Sequence, residues 1–486
     1  MVADELTYLI EETLGMEPTA EQRNAIGVFC RFLADRNPLA VMILRGCAGT
    51  GKTTLAAAMV QTLARLKQRV TLLAPTGRAA KVFSLNSGLA AYTIHRRIYR
   101  QRTAGDMSTF NLGYNNSPDT LFFIDEASMV ANAGFADSQF GEGRLLDDLV
   151  RFVYGGHNCR MVLIGDKAQL PPVGEEESPA LSDQTLTAMG LSVHQCDLNE
   201  VLRQSRQSGI LWNATRIRQQ GADTGAAFLP KIRFSGFNDI AVVPGDELIE
   251  QLNTSYSEVG TDDTIVVTRS NKRCNIYNRG IRNTVLDREE MLCRGDLLMV
   301  VKNNYYWLNR TASPDNNGDT ATQKAGFLAN GDRARVMKVR NIRELYGFQF
   351  ADVWLQFPDY DGLEMETTVL LDTLSAEAPS LTREQQEQLF QGVMADYAHI
   401  PQKSERIRKL REDPYYNALQ VKFAYAVTCH KAQGGQWAHV YVDQGYMTDD
   451  MLTPDYIHWL YTAFTRATEK LFLVNWPKTQ IMEPST

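Results

Sequence analysis

Gly46-Cys47-Ala48-Gly49-Thr50-Gly51-Lys52-Thr53 follows the apolar run Leu39 to Leu44 and leads into a helix-like run, Thr54 to Leu66. A buried strand, a glycine-rich turn and a helix start, in that order, form a cradle for phosphate. The glycines let backbone N–H groups come close to phosphate oxygens. Gly46, Ala48, Gly49, Thr50, Gly51, Lys52, Thr53 and Thr54 are therefore the expected nucleotide-binding set. Lys52 is expected to reach the β and γ phosphates, and the Thr53 hydroxyl to help hold Mg²⁺. The competing reading is a glycine-rich turn that merely matches the pattern, and the strand–turn–helix context argues against it.

A second signal lies at Leu121-Phe122-Phe123-Ile124-Asp125-Glu126. The apolar residues predict a strand buried on both faces, with two acids at its C-terminal tip. Burying a carboxylate without a partner is costly, so acids there point to chemistry. Asp125 is placed to bind Mg²⁺, and Glu126 to activate an attacking water. A third strand, Arg160 to Ile164, ends in the polar loop Gly165-Asp166-Lys167-Ala168-Gln169-Leu170-Pro171-Pro172. Asp166 and Gln169 are candidate γ-phosphate sensors, against a plain turn punctuated by proline.

The chain has 486 residues, which predicts two to four domains. Its net charge of −7 argues against an all-basic surface, yet leaves room for a local basic groove. The seven cysteines are scattered without C-x-x-C spacing, so neither zinc nor a disulfide framework is indicated. No apolar run approaches the ~20 residues of a membrane span, and the acidic start does not read as a signal peptide. A reduced, cytoplasmic setting is the expectation.

Around these signals, Thr19 reads as a helix N-cap. Gln22, three residues on, is either a helix residue or an adenine reader, since its amide both donates and accepts. Arg69 to Ala74 is a predicted strand ended by Pro75, with a helix starting near Arg78. Spacing alone does not raise His95 above a structural histidine. Ile98 to Asn116 carries Tyr99, Arg100, Arg102, Phe110 and Tyr114 about a Gly105 turn. It reads as a protruding hairpin suited to nucleic acid or as an irregular surface loop. Further on, Thr264 to Arg269, Gln420 to Val427, His439 to Val442 and Lys470 to Trp476 read as strands, and Asn271 to Asn283 and Pro454 to Thr468 as helices. Alternation of this kind implies a second parallel α/β domain. Between them, Gly295 to Trp307, Asp332 to Arg340, Gly347 to Phe357 and Leu363 to Leu371 predict an inserted antiparallel barrel, followed by two polar helices over Thr382 to Asp413.

Taken together, Pro18–Gln22, Gly46–Thr53, Ala74–Lys81, Asp125–Met129, Gly165–Val173, Leu202–Gln204, Val427–Gly434 and Tyr461–Ala467 resemble a superfamily 1 helicase. The order and spacing are most similar to the class B branch that includes the RecD and Dda helicases. The resemblance implies an α/β fold of two RecA-like P-loop domains with parallel sheets and ATP in the cleft between them. It implies a first domain over 1–205, with a hairpin insertion at about 98–118. The second domain would cover 206–486, with an SH3-like barrel and helical insertion at about 291–418. By it, Gln22 contacts adenine and Gln169 couples the γ-phosphate to the strand track. Lys52, Asp125, Glu126 and Gln169 are joined as catalytic residues by Arg203 and Arg466, the arginine fingers. Pro75, Thr76, Thr93, His95, Thr428 and His430 match positions that line the path of single-stranded DNA.

The resemblance therefore implies an ATP- and Mg²⁺-dependent DNA helicase moving 5′ to 3′ on single strands and acting on forked DNA. The short N-terminal region favours a free-standing, monomeric enzyme; any replication or repair partner stays unnamed. The alternatives are an RNA or dual-substrate helicase, and a nucleotide-dependent scaffold or translocase that does not unwind.

Overall fold

The computed structural model describes residues 2–101, 110–134, 143–201, 207–222, 228–308, 328–360 and 362–482. They form two compact units. The first comprises 1–99, 112–245 and 432–486, and the second 100–111 and 246–431.

In chain order, the first strands are β1 (Ala40–Gly46), β2 (Arg69–Ala74) and β3 (Ala91–Thr93). A short pair follows, β4 (Tyr99–Gln101) and β5 (Phe110–Leu112). Then come β6 (Thr120–Ile124), β7 (Arg160–Gly165) and β8 (Ser192–Leu198). Six of them make a sheet in the order β3-β2-β6-β7-β1-β8, and its pairings are parallel. Every residue of β1 and β6 is buried, as expected for strands covered by helices on both faces. One face packs Met42, Leu44, Phe123, Val162 and Ile164 against Phe29 and Phe32 of the helix Ala20–Ala34 and Met59 of the helix Lys52–Arg65. The Thr19 cap is real: its hydroxyl accepts the Gln22 N–H, and the Gln22 side chain accepts the Thr19 N–H in return.

The β4–β5 pairing bears out the hairpin reading of Ile98–Asn116. Its predicted turn about Gly105 lies outside the described residues.

Further parallel strands fall in both units. In the first, β9 (Ile240–Val243) pairs with β18 (Ala467–Val474), which pairs with β17 (Trp437–Asp443). In the second, β10 (Thr264–Thr268) pairs with β16 (Ala426–Thr428).

The second unit also holds the barrel. Its strands are β11 (Leu297–Val300), β12 (Arg333–Leu345), β13 (Phe348–Phe357), β14 (Leu363–Leu370) and β15 (Leu419–Phe423), closed on themselves. The expected antiparallel order holds except at the closure, where β14 and β15 run parallel.

Two expectations are corrected here. The single strand read over Gln420 to Val427 is two: β15 completes the barrel and β16 joins β10. The buried Asn278 side chain stitches the break, accepting from the N–H groups of Tyr425 and Ala426 and donating to the carbonyls of Phe423 and Ala426. The helix read over Pro454 to Thr468 ends at Phe464, so Arg466 sits in the turn before β18 rather than in a helix. The two polar helices are present as Arg383–Asp396 and Lys403–Arg411.

Candidate nucleotide site and strand-binding positions

Because β6, β7 and β1 are neighbours and parallel, their C-terminal tips share one edge of the sheet. That edge is where ligands bind in open parallel sheets. The Gly46–Thr53 loop follows β1, Asp125 and Glu126 follow β6, and Asp166 to Gln169 follow β7.

The loop is tight. A Cβ at Gly46 would meet Thr50 Oγ1 at 2.9 Å and Lys52 Cδ at 3.3 Å. Gly51 has φ +74, in the left-handed region that favours glycine. Thr50 Oγ1 donates to Cys47 O at 2.8 Å, and Gln22 Nε2 donates to Thr50 O at 3.0 Å. Gln22 thus joins the helix cap to the phosphate loop. Lys52 opens the Lys52–Arg65 helix, so the loop's N–H groups and the positive helix end serve one anion.

Asp125 is buried, and its carboxyl is pushed up to about 6 by that burial and then by the Glu126 charge, with Lys52 opposing. Glu126 is held at φ +50, a strained conformation for a non-glycine residue, and its N–H donates to Asp125 Oδ1 at 2.9 Å. Asp166 is buried too, and burial pushes its carboxyl up against the pull of Lys52. Gln169 is 6% exposed, and its Oε1 has no hydrogen-bond partner among the described residues. A buried acceptor left open at a strand tip is unusual in a scaffold and expected at a reaction site. The residues fit a nucleotide with Mg²⁺. The loop offers N–H groups and Lys52 to phosphates, while Thr53 and Asp125 offer the oxygen donors that a hard cation takes beside phosphate and water.

Arg466 is 2% exposed. Its guanidinium donates to Thr462 O, Gly435 O and Thr465 Oγ1 at 3.0 to 3.1 Å. The other expected finger, Arg203, lies outside the described residues.

Of the strand-path residues, Pro75 and Thr76 follow β2, and Thr93 and His95 follow or end β3 beside it, with Ala74 opposite Thr93. The Thr76 and Thr93 hydroxyls each cap a short helix, accepting from Ala79 N–H and Arg96 N–H. His95 packs its ring 5.7 Å from that of Tyr99, and burial pushes the imidazole down to about 4, so it is neutral at pH 7. Thr428 ends β16 and His430 is exposed on the next turn, in the second unit.

Sequence reading missed what holds the β7 loop. His458 Nδ1 lies 2.9 Å from Ala168 O, Tyr461 Oη donates to Asp166 Oδ2 at 2.6 Å, and Leu170 N–H donates to Thr462 Oγ1 at 2.8 Å. Gln433 Nε2 adds a bond to Leu170 O. The 458, 461 and 462 positions share one helix face by their spacing, but no local signal names what that face grips.

Two family models match the chain: an AAA domain over residues 18–230 and a UvrD-like helicase C-terminal domain over 423–474. The ATP-dependent RecD2 DNA helicase of Deinococcus radiodurans is 29% identical over 171 residues. That stretch is 35% of this chain, which spans 21% of the relative's length. Uncharacterized protein R530 of Acanthamoeba polyphaga mimivirus is 21% identical, with 90% of this chain and 96% of that one covered. Among solved structures, a Pif1 helicase from a study of forked duplex unwinding aligns with TM-score 0.47 and 16% identity, over 96% of this chain and 95% of its own. A Bacteroides Pif1 helicase in complex with ADP-AlF3 and single-stranded DNA aligns with TM-score 0.45 and 13% identity, over 97% and 95%.

Proposed function

We propose that this chain is a superfamily 1 class B helicase similar to the RecD and Dda helicases, an ATP-driven motor that moves along single-stranded DNA and unwinds duplex; its matches to an AAA domain and to a UvrD-like helicase C-terminal domain support the helicase reading. The observation that carries the proposal is the gathering of three motifs at adjacent strand tips: the phosphate loop, Asp125–Glu126 and Asp166–Gln169. Lys52 and the loop N–H groups hold the phosphates, and Glu126 accepts the proton of the attacking water. Gln169 orients that water through its open Oε1. Arg466 and Arg203 supply positive charge to the γ-phosphate as negative charge spreads over its oxygens. Thr53 and Asp125 would hold Mg²⁺, which would supply neutralising charge to the phosphates.

Pro75, Thr76, Thr93, His95, Thr428 and His430 line the path of the strand. Movement 5′ to 3′, action on forks, motor domains at 1–205 and 206–486, and a free-standing cytoplasmic enzyme belong to the same proposal. The test is steady-state ATP hydrolysis alone, with single-stranded DNA and with single-stranded RNA. Strong stimulation by DNA is expected. Equal stimulation by RNA moves the substrate to both nucleic acids, and no stimulation by either rejects the motor.

A further inference from the structure

We infer that Tyr461 is a positioning residue for hydrolysis, whose hydroxyl fastens the Gln169 loop to the phosphate loop. The inference rests on the nucleotide reading above. Tyr461 is 1% exposed, and its hydroxyl makes two bonds of opposite sense. It accepts the Ala48 N–H at 2.9 Å and donates to Asp166 Oδ2 at 2.6 Å. Asp166 Oδ1 in turn accepts the Ala168 N–H at 2.9 Å. One unbroken chain of hydrogen bonds therefore runs from the phosphate loop to the loop that carries Gln169.

The residues beside Tyr461 brace the same loop. His458 meets Ala168 O and Thr462 accepts from Leu170 N–H, so Gln169 is flanked on both sides by residues tied to one helix. Gln169 is the member of this loop whose side-chain oxygen is left open among the described residues. A frame that satisfies its neighbours and not Gln169 holds that oxygen ready for a ligand. Burial pushes the Tyr461 phenol well above its ordinary pKa, so it stays protonated and keeps its donor role. The helix ends three residues after Tyr461, and Arg466 follows in the turn. Triphosphate that shifts the phosphate loop would thus be felt at Gln169 and at the turn of Arg466 through a single hydroxyl. A merely structural tyrosine would fill the same space without setting the loop's position.

The test compares wild type with Tyr461→Phe, Thr462→Val and Thr462→Ser in the full chain. For Tyr461→Phe, kcat for nucleic-acid-stimulated ATP hydrolysis is expected to fall about tenfold or more, with KM for ATP within about twofold. In parallel, fluorescent ADP and a non-hydrolysable ATP analogue are titrated. ADP affinity is expected to hold, while the preference for triphosphate over diphosphate drops about fivefold or more. Thr462→Val is expected to follow Tyr461→Phe, and Thr462→Ser, which keeps the hydroxyl, to recover what Thr462→Val loses. Unchanged kcat with an unchanged triphosphate preference overturns the inference, as does an equal loss of ADP affinity. Should the wild-type chain hydrolyse no ATP, the motor reading fails by itself. The triphosphate preference then decides on Tyr461, and its survival in Tyr461→Phe overturns the inference.

Discussion

Two buried aspartates, one in each unit, show how this chain separates scaffold from site. Asp296, just before β11 of the barrel, is 0% exposed. Its carboxylate accepts two bonds from Arg282, one from Arg288, one from the Tyr425 hydroxyl and one from the Cys293 N–H, at 2.8 to 3.1 Å. Arg282 also lies over the Phe423 ring at 4.3 Å. Asp125, at the tip of β6, is almost as buried, yet among the described residues its carboxylate accepts a bond from the Glu126 N–H alone. Its charge is opposed by Glu126, and burial pushes its pKa up to about 6. A buried charge is tolerated when its lone pairs are filled and costs stability when they are not. Asp296 has been saturated by the fold; Asp125 has been left open for something the fold does not contain.

The largest effect should come from the open side. Glu126→Gln is expected to lower ATP turnover by about 10²- to 10⁴-fold, the scale of a lost general base, with nucleotide affinity kept. Single-turnover hydrolysis beside fluorescent-nucleotide binding checks this, and normal turnover would remove the water-activating role.

Next come the two aspartates themselves. Asp296→Asn leaves the buried Arg282 and the half-buried Arg288 short of their counter-charge and is expected to cost about 3–5 kcal/mol in denaturant unfolding. Asp125→Asn, measured without Mg²⁺, is expected to leave stability equal or higher while hydrolysis is lost. Equal destabilisation by both variants would break the contrast.

The smallest effect sharpens the comparison with a cation. Lys431 Nζ is buried without a hydrogen-bond partner among the described residues, and burial, then Lys422, pushes its pKa down to about 8. Between about 8 and the ordinary 10.5, the unfolded chain holds a proton that the folded chain does not. Stability therefore rises with pH across that window, and the gain is absent below it. Lys431→Met should flatten this rise in thermal unfolding followed from pH 8 to 10, and an unaltered slope would remove Lys431 as its source.

How much could be read beforehand follows the range of the signals. The phosphate loop, the acids after β6 and the Thr19 cap are written in consecutive residues, and each stands where the spacing put it. The strand read over 420–427 fails because no glycine, proline or other turn residue interrupts it, while its halves belong to two different sheets. Only Asn278, more than a hundred positions earlier, marks the break. Arg466 reads as helical because nothing in the run Tyr461 to Thr468 announces a stop. The helix ends where the Arg466 guanidinium turns back to bond Thr462 O.

The sequence by itself determined the chemistry on offer: a phosphate cradle, two acids and a polar loop, each after a buried strand. Such patterns are local, because a strand, a turn and a helix start are set by neighbouring residues. Tertiary structure alone decided which of these groups are saturated and which are open. It joined Tyr461 to Ala48 and Asp166, filled the lone pairs of Asp296, and left Gln169 Oε1 without a partner among the described residues. Those outcomes depend on contacts between residues far apart in the chain, and no periodicity encodes them.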